Sequence, residues 1–149
     1  MKYLKVYKVF EATDKKSLRN LSIKYGQKAV DRCEEIISDI SDILLELKDS
    51  GIECEIRWTS IQNSYPILCV SIYSEVEWGT FSNLDKARKN AVDKSLRLET
   101  IQRIKDYLDI SQGEGESIFY SEREWVDTTP GIHRGMKIYK MYINYDIGK

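Results

Sequence analysis

Residues 14–49 read DKKSLRNLSIKYGQKAVDRCEEIISDISDILLELKD, and their apolar or small side chains recur every three or four positions. This spacing averages about 3.6 residues, the period of a straight amphipathic helix rather than a supercoiled one. Thr13 and Asp14 are typical of a helix N-terminus, and Ser50 and Gly51 of a C-terminus. The stretch therefore predicts a long helix with one buried face. That face comprises Leu18, Leu21, Tyr25, Ala29, Cys33, Ile36, Ile40, Leu44 and Leu47.

The length of this helix poses a packing problem. Unbroken, it would extend for roughly 54 Å at 1.5 Å per residue, against roughly 38 Å for a compact sphere of this chain length. We expect one of two solutions. Either the chain breaks at Tyr25-Gly26, since glycine costs about 1 kcal/mol inside a helix, or one end of the helix projects and packs on a partner.

Strands and a second helix account for most of the remaining chain. Alternating apolar and polar residues predict strands at residues 2–11, 52–59, 67–76, 117–127 and 137–147. Residues 82–85 resemble a capping box and open a helix that extends to about Leu108. The order β-α-β-β-α-β-β predicts an α+β fold with a mainly antiparallel sheet of about five strands and two long helices on one face. It suits a ferredoxin-like arrangement with an extra strand, or tandem αββ units after a leading strand.

Length and composition are those of one ordinary domain. The chain has 149 residues, of which 42% are hydrophobic and 32% charged, so we expect a single domain over residues 1–149. No apolar run is long enough to cross a bilayer, and lysines interrupt the N-terminal segment where a signal peptide would be apolar. We therefore expect a cytoplasmic protein with no membrane partner. The lysine, isoleucine and tyrosine usage would suit a phage or an AT-rich bacterial genome.

The cysteines give no indication of a metal or redox site. Cys33, Cys54 and Cys69 are odd in number and widely spaced, and we expect them to be reduced, buried thiols. Only His133 could join them, and no CxxC or HxxxH spacing is present. The sequence therefore predicts neither a metal site nor a cofactor.

Enzyme motifs are absent as well. The chain has no GxSxG, Walker A, HExxH or dinucleotide-binding GxGxxG pattern. The nearest arrangement would pair a general acid with a charge stabiliser. It combines Glu122, Arg123 and Glu124, beside Trp125, with Asp127, His133 and Arg134. Strand alternation and a turn explain those positions equally well. We predict no catalytic residue and no enzyme activity.

Acidic residues form a row on the back of the first helix, opposite its apolar stripe. A solvated face is the simple explanation. Like charges four residues apart nevertheless cost a few tenths of a kcal/mol, a penalty that a basic protein surface would relieve. We therefore predict Asp42, Glu46 and Asp49 as partner-binding residues. The full row comprises Asp31, Glu35, Asp42, Glu46 and Asp49.

The second helix has apolar residues on two sides. Val92, Leu96 and Tyr107 lie opposite its main apolar arc, so this helix is either covered twice or offers a contact surface. We predict Val92 and Leu96 as partner contacts and a homodimer as the assembly. We expect the basic first half of this helix to pair with the acidic first helix. The main arc comprises Leu84, Ala87, Ala91, Leu98, Ile101, Ile104 and Leu108, and the basic residues are Lys86, Arg88, Lys89, Lys94 and Arg97.

The connection between the last two strands, residues 127–136, is longer than a hairpin needs. It presents His133 beside Arg134, a pair that could hold a phosphate or carboxylate by charge-assisted hydrogen bonds. Together with Trp125, Arg57 and Tyr142, these residues form the predicted ligand-binding set. Tyr73 and Tyr142 could stack on the bases of a nucleic acid. Glu53 and Glu55 are predicted to share their face and would repel its phosphates.

These observations support three hypotheses about function. The first is a small non-catalytic interaction protein, an accessory or regulatory factor that binds a protein or another macromolecule and self-associates. The second is a binding protein for a nucleotide-sized or nucleic-acid phosphate ligand. The third is a phosphate-ester hydrolase that uses the 127–136 loop.

Overall fold

The computed structural model describes residues 23–59, 66–75 and 84–147. These ranges form an α+β fold in the order α-β-β-α-β-β, which confirms the predicted class. The predicted first strand, residues 2–11, lies outside the described residues, so the described sheet has four strands. The elements are α1 (Gln27–Asp49), β1 (Glu53–Trp58), β2 (Ile67–Glu75), α2 (Leu84–Ile110), β3 (Glu116–Val126) and β4 (Met136–Ile147).

The sheet is antiparallel throughout, with the strand order β1-β2-β4-β3. Each hairpin therefore contributes one edge strand and one central strand. The two hairpins meet between β2 and β4, where Val70 pairs with Met141. In the described residues, each half of the sheet is one hairpin that follows a helix in the chain.

Both helices pack on the same face of the sheet. Every residue of the predicted α1 stripe from Ala29 to Leu47 is buried, and Tyr25 is partly buried against the same core. The stripe forms one buried cluster with residues of β1, β2 and β4. Strand alternation directs Leu68, Ile72 and Met141 toward the helices. The periodicity of residues 29–47 is therefore confirmed as a core-facing pattern.

The first helix breaks at Gly26. Residues 23–25 are helical, Gly26 is not, and α1 begins at Gln27. Gly26 has a φ of 89°, a left-handed value that residues with a Cβ adopt only at a cost. This break shortens α1 to 23 residues, about 34 Å, which fits a domain of this size. The first of the two expected solutions is therefore correct.

The buried arc of α2 differs from the predicted one. Leu98, predicted to face the core, is 54% exposed, whereas Arg97 and Thr100 are buried. Leu96 and Tyr107, predicted for the opposite surface, are partly buried against the core. The physical reason is that β3 presents carboxylates to this half of α2, so the helix turns a cation toward the sheet instead of a leucine. Ile101, Ile104 and Leu108 are buried as predicted.

None of the helices in the described ranges is long and apolar enough to span a membrane.

Candidate binding face

The sheet has a second face, turned away from α1 and α2, which we call the open face. Cross-strand register arranges its side chains in rows. Read from β1 through β2 and β4 to β3, three rows are Glu53, Tyr73, Ile138 and Trp125; Glu55, Ser71, Lys140 and Arg123; and Arg57, Cys69, Tyr142 and Ser121. The β2 members and Ile138 of β4 are buried, and Lys140 and Tyr142 are half-buried. The accessible part of the open face therefore lies mainly on its two edge strands.

The predicted ligand-binding residues gather on or beside this face. Trp125, Arg57 and Tyr142 belong to its rows, and Arg134 is exposed in the adjoining loop. Arg57 and Trp125 nevertheless lie on opposite edge strands, three strand spacings or about 14 Å apart. One small ligand therefore could not contact both.

His133 is already engaged within the protein. Its ring stacks on Tyr73 with centroids 3.9 Å apart and planes inclined by 12°. Its Nε2 lies 3.0 Å from Glu53 Oε2. The imidazole is therefore directed to the β1–β2 half of the open face, while Arg134 remains exposed. The structure does not bring the two side chains together as a small-anion site.

The 127–136 loop is ordered by its own hydrogen bonds. The Asp127 carboxylate accepts hydrogen bonds from Thr129 N at 2.9 Å and Thr129 Oγ1 at 2.6 Å. These bonds lower the pKa of Asp127 below its ordinary value. Gly135 N donates to Asp127 O at 2.7 Å. Asp127 therefore has a structural role in closing the loop.

The acid-rich segment of β3 faces the helices, not the open face. Glu122 Oε1 lies 2.7 Å from Lys105 Nζ, and Glu122 Oε2 accepts a hydrogen bond from Tyr139 at 2.8 Å. Glu124 Oε1 pairs with Arg97 at 2.9 Å and with Lys137 at 3.2 Å. The sheet therefore separates these carboxylates from His133. The acid–base arrangement considered from the sequence is not assembled.

The ionisation of these carboxylates also follows from their partners. Burial by itself raises the pKa of Glu122, but the hydrogen bonds from Lys105 and Tyr139 outweigh it and lower the pKa. Burial likewise raises the pKa of Glu124, and the bonds from Arg97 and Lys137 reverse the shift. A general acid at neutral pH needs the opposite, a raised pKa. These groups are suited to holding α2 on β3.

A cleft of about 420 Å³ lies beside these ion pairs, on the helix side of the sheet. Its charged side chains bind one another, as the Arg97–Glu124 and Lys105–Glu122 pairs show. A ligand there would have to displace contacts that attach α2. Its lining comprises Lys94, Arg97, Leu98, Ile101, Gln102, Lys105, Glu122, Glu124, Lys137 and Tyr139.

The predicted partner-binding acids, Asp42, Glu46 and Asp49, are exposed on α1. Glu46 Oε2 accepts a hydrogen bond from Arg103 Nη1 at 2.9 Å, and Arg103 belongs to the second half of α2. In the basic first half, Arg97 binds β3, and Lys89 Nζ binds Asp93 within the same helix at 2.8 Å. The expected pairing of these two cations with α1 is therefore wrong, because β3 and α2 itself offer closer carboxylates.

Of the other predicted partner contacts, Val92 is 64% exposed. Leu96 is partly buried against the core, so the two residues do not present one continuous apolar patch. Both supports for a homodimer are weakened, because α1 does not project and Tyr107 also packs on the core. Self-association stays a prediction.

The cysteines are free and buried, as predicted. Burial raises the pKa of Cys33 to about 12 and that of Cys54 to about 11, so both thiols stay protonated at neutral pH. Within residues 23–59, 66–75 and 84–147, no cluster of three or more His, Cys, Asp or Glu residues could hold a metal ion.

The structure adds three residues that sequence reasoning missed: Phe119, Arg123 and Lys140. The alternation of β3 places Phe119, Arg123 and Trp125 on one side, and register sets Arg123 opposite Lys140 and Ser121 opposite Tyr142. The strand alternation was visible in the sequence, but the pairing of β3 with β4 in this register was not. We call the resulting surface the aromatic–basic strip. It comprises Phe119, Arg123, Trp125, Lys140 and Tyr142.

The aromatic–basic strip is accessible and positively charged. Phe119 is 63% exposed and Trp125 is 37% exposed. The Arg123 guanidinium lies 5.5 Å from the centroid of the Trp125 ring, a cation–π arrangement. No ion pair joins Arg123 or Lys140 to a carboxylate in the part of the chain that the structure describes.

Comparison with known proteins identifies no relative. No protein-family model, no curated protein and no solved structure matches the chain.

Proposed function

We propose that this chain is a small non-catalytic binding protein that engages another macromolecule through the open face of its sheet. The observation that carries the proposal is the aromatic–basic strip. Two exposed aromatic side chains, Phe119 and Trp125, share an ordered strand face with the cations Arg123 and Lys140. Aromatic residues and arginine are enriched in binding surfaces, and clustered exposed apolar groups mark interaction sites.

The strip stands on a rigid support. β3 and β4 pair continuously from Glu116–Ile147 to Val126–Lys137. Beneath them, Met141 and Ile143 are fully buried in the core. Because pairing has already ordered the backbone of β3 and β4, binding costs little additional backbone entropy, which favours affinity.

The shape of the strip favours an extended partner. Trp125 and Phe119 are six residues apart on β3, a distance of about 20 Å. The strip lies on a sheet surface, whereas the 420 Å³ cleft is on the opposite side of the sheet and its charges are paired. A macromolecule that lies across the sheet would contact more of the strip than a nucleotide-sized ligand.

A small phosphate ligand at the 127–136 loop and a hydrolase at the same loop receive less support. A small-anion site at the loop would need His133, which already stacks on Tyr73 and contacts Glu53. A hydrolase at the same loop would need acids beside the imidazole, and Glu122 and Glu124 point to the other side of the sheet.

Native mass spectrometry of protein purified from its own host tests this proposal. The variant Phe119→Ser/Trp125→Ser removes both aromatic contacts. The matched control, Leu98→Ser/Ile110→Ser, removes two exposed apolar side chains from α2 at positions that are not predicted partner contacts. We expect the unaltered protein and the control to retain the same bound partner, and the strip variant to lose it. Equal retention by all three proteins would exclude the open face as the binding surface.

A further inference from the structure

We infer that the partner of the aromatic–basic strip is a single-stranded nucleic acid. This inference rests on the proposed function and names the class of partner.

The rings provide stacking positions along the sheet. Trp125 lies at one end of the strip and Phe119 at the other, and Tyr142 lies between them on β4, opposite Ser121. An unpaired base exposes both of its faces and can stack on such a ring, whereas a base within a duplex cannot. Stacking accepts any base, so the strip would bind without strict sequence preference.

The cations lie between the rings. Arg123 and Lys140 are directly opposed across β3 and β4, in the row between that of Trp125 and that of Tyr142. A strand whose bases stack on the rings would bring its phosphates past this pair. Arginine and lysine close to stacking aromatics are the usual composition of single-strand binding surfaces.

Each acid of the open face either has a partner within the protein or lies about 10 Å or more from Lys140. Glu53 contacts His133, and Glu55 lies 3.7 Å from Arg57. Both belong to β1, two strand spacings or about 10 Å from β4. Asp127, just beyond Trp125, accepts two hydrogen bonds from Thr129. Asp146 lies six residues from Lys140 along β4, about 20 Å away, although it is only two residues from Asn144, which pairs with Phe119. Glu75 of β2 is exposed on the same face and pairs with Met136, four residues or about 14 Å from Lys140 along β4.

The net charge of −1 does not oppose this assignment. The acidic row of α1 lies opposite the stripe that packs on the sheet, so it points away from the open face. Asp31 and Asp49 are exposed members of that row. At 0.1 M ionic strength charges are screened within about 10 Å, and one helix and the sheet separate the row from the strip. The local charge of the strip is therefore what a phosphate backbone would meet.

The edge of β3 argues against a protein strand as the partner. Glu122, Arg123 and Glu124 place three consecutive charges in the middle of this edge strand. Charged residues of this kind protect edges from pairing with another strand. A partner is therefore expected across the face of the strip, where the rings are, and not along its edge.

Fluorescence anisotropy with labelled oligo(dT) and oligo(rU) of about 12 nucleotides tests the inference. At about 50 mM salt we expect the unaltered protein to bind both single strands and not the matching duplex. Trp125→Ala and Phe119→Ala should each weaken binding about five- to 150-fold. Arg123→Gln and Lys140→Gln should each reduce the slope of log K against log salt by about 0.7. Leu98→Ala and Lys28→Gln, at exposed helix positions, are the matched controls and should change neither quantity.

Backbone amide shifts of the unaltered protein keep the test independent of variant folding. We expect oligo(dT) to shift the NMR resonances of backbone amides in β3 and β4. Equal affinity for the duplex, shifts confined to the helices, or no binding at about 100 μM protein would overturn the inference. If no oligonucleotide binds and Phe119→Ser/Trp125→Ser still loses its partner in native mass spectra, only the nucleic-acid assignment fails. If that variant also keeps its partner, the proposed function fails with it.

Discussion

At the scale of single residues, one polar cluster joins four elements. Arg32 of α1 donates through Nε to Glu116 of β3 at 3.1 Å and through Nη2 to Ser111 O at 2.6 Å. Glu116 also accepts hydrogen bonds from Gly113 N and from Tyr145 of β4. Burial by itself raises the pKa of Glu116, but the bonds from Tyr145, Gly113 and Arg32 lower it overall. The carboxylate is therefore a charged junction between the end of α2, the two strands and α1.

Glu116→Gln should destabilise the fold by about 1–3 kcal/mol, because it leaves Arg32 with only the exposed Glu35, at 3.4 Å, as its counter-charge. Urea titration measures the free energy of unfolding, and we expect the slope of this free energy against urea concentration to stay unchanged. Glu114→Gln, an exposed acid two residues away, is the control and should stay within about 0.5 kcal/mol of the unaltered protein. Equal stabilities for the two variants would show that the cluster contributes nothing to the fold.

At the scale of elements, the two helices attach to the sheet by different means. α1 is held by apolar contacts along its whole stripe, from Ala29 to Leu47. α2 is held by apolar contacts at Ile101, Ile104 and Leu108 and by ion pairs toward its first half. The attachment of α2 should therefore respond to pH and salt more than that of α1.

Acid should destabilise the α2–β3 contact. The pKa values of Glu122 and Glu124 are lowered from 4.5, so the unfolded chain binds protons at a higher pH than the folded one. The stabilisation is thus fully present above that value and is lost as pH falls through the lowered pKa values. Urea titrations between pH 7 and about pH 3 measure this loss. The double variant Glu122→Gln/Glu124→Gln should lose less stability than the unaltered protein as the pH falls. If the free energy of unfolding depends on pH identically in the two proteins, these carboxylates are not the origin of the acid sensitivity.

The start of α1 depends on Gly26. Gly26→Ala places a Cβ on a residue with a φ of 89° and a ψ of 148°, a conformation close to a region that is almost restricted to glycine and costs other residues about 1–3 kcal/mol. No heavy atom lies within 4 Å of the added Cβ, so the loss would come from the backbone and not from a clash. Thermal unfolding compared with Gln27→Ala, one position into the helix, measures it. A more stable Gly26→Ala variant would indicate that the helix can continue through this position.

At the scale of the whole molecule, two charged groups lie on opposite sides of the sheet. The exposed acids of α1 lie on the helix layer. Arg123 and Lys140, which form no ion pair within the described residues, lie on the open face of the sheet. The two groups are far enough apart to be screened from each other at physiological ionic strength. Their functions should therefore be separable by substitution.

Neutralising Asp42, Glu46 and Asp49 to Asn or Gln should leave association through the open face within about twofold at 0.1 M salt, because these charges lie beyond the screening length. Stopped-flow association rates with oligo(dT) measure this, and Arg123→Gln/Lys140→Gln serves as the variant that slows association. A large decrease on neutralising the acids would return that row to the binding surface.

Local periodicity was sufficient to predict the helix stripe and the strand faces. Cys33, Ile36 and Ile40 are buried because a helix period and a strand period dictate which side chains share a side, whatever the element packs on. The alternation of β1 was correct for the same reason, with Cys54 and Ile56 buried and Arg57 exposed. Gly26 marked the break in the first helix through its own backbone preference.

Long-range pairing accounts for what the sequence could not predict. The strand order β1-β2-β4-β3 brings Val70 beside Met141, and no local pattern encodes a contact between residues so distant in the chain. The buried arc of α2 was misjudged because Glu122 and Glu124 of a later strand select Arg97 over Leu98. The aromatic–basic strip arises in the same way: Arg123 and Lys140 become neighbours only when β3 pairs with β4 in this register. Side-chain period is a property of each segment alone, whereas strand register and ion-pair partners are set by the free energy of the assembled sheet and helices.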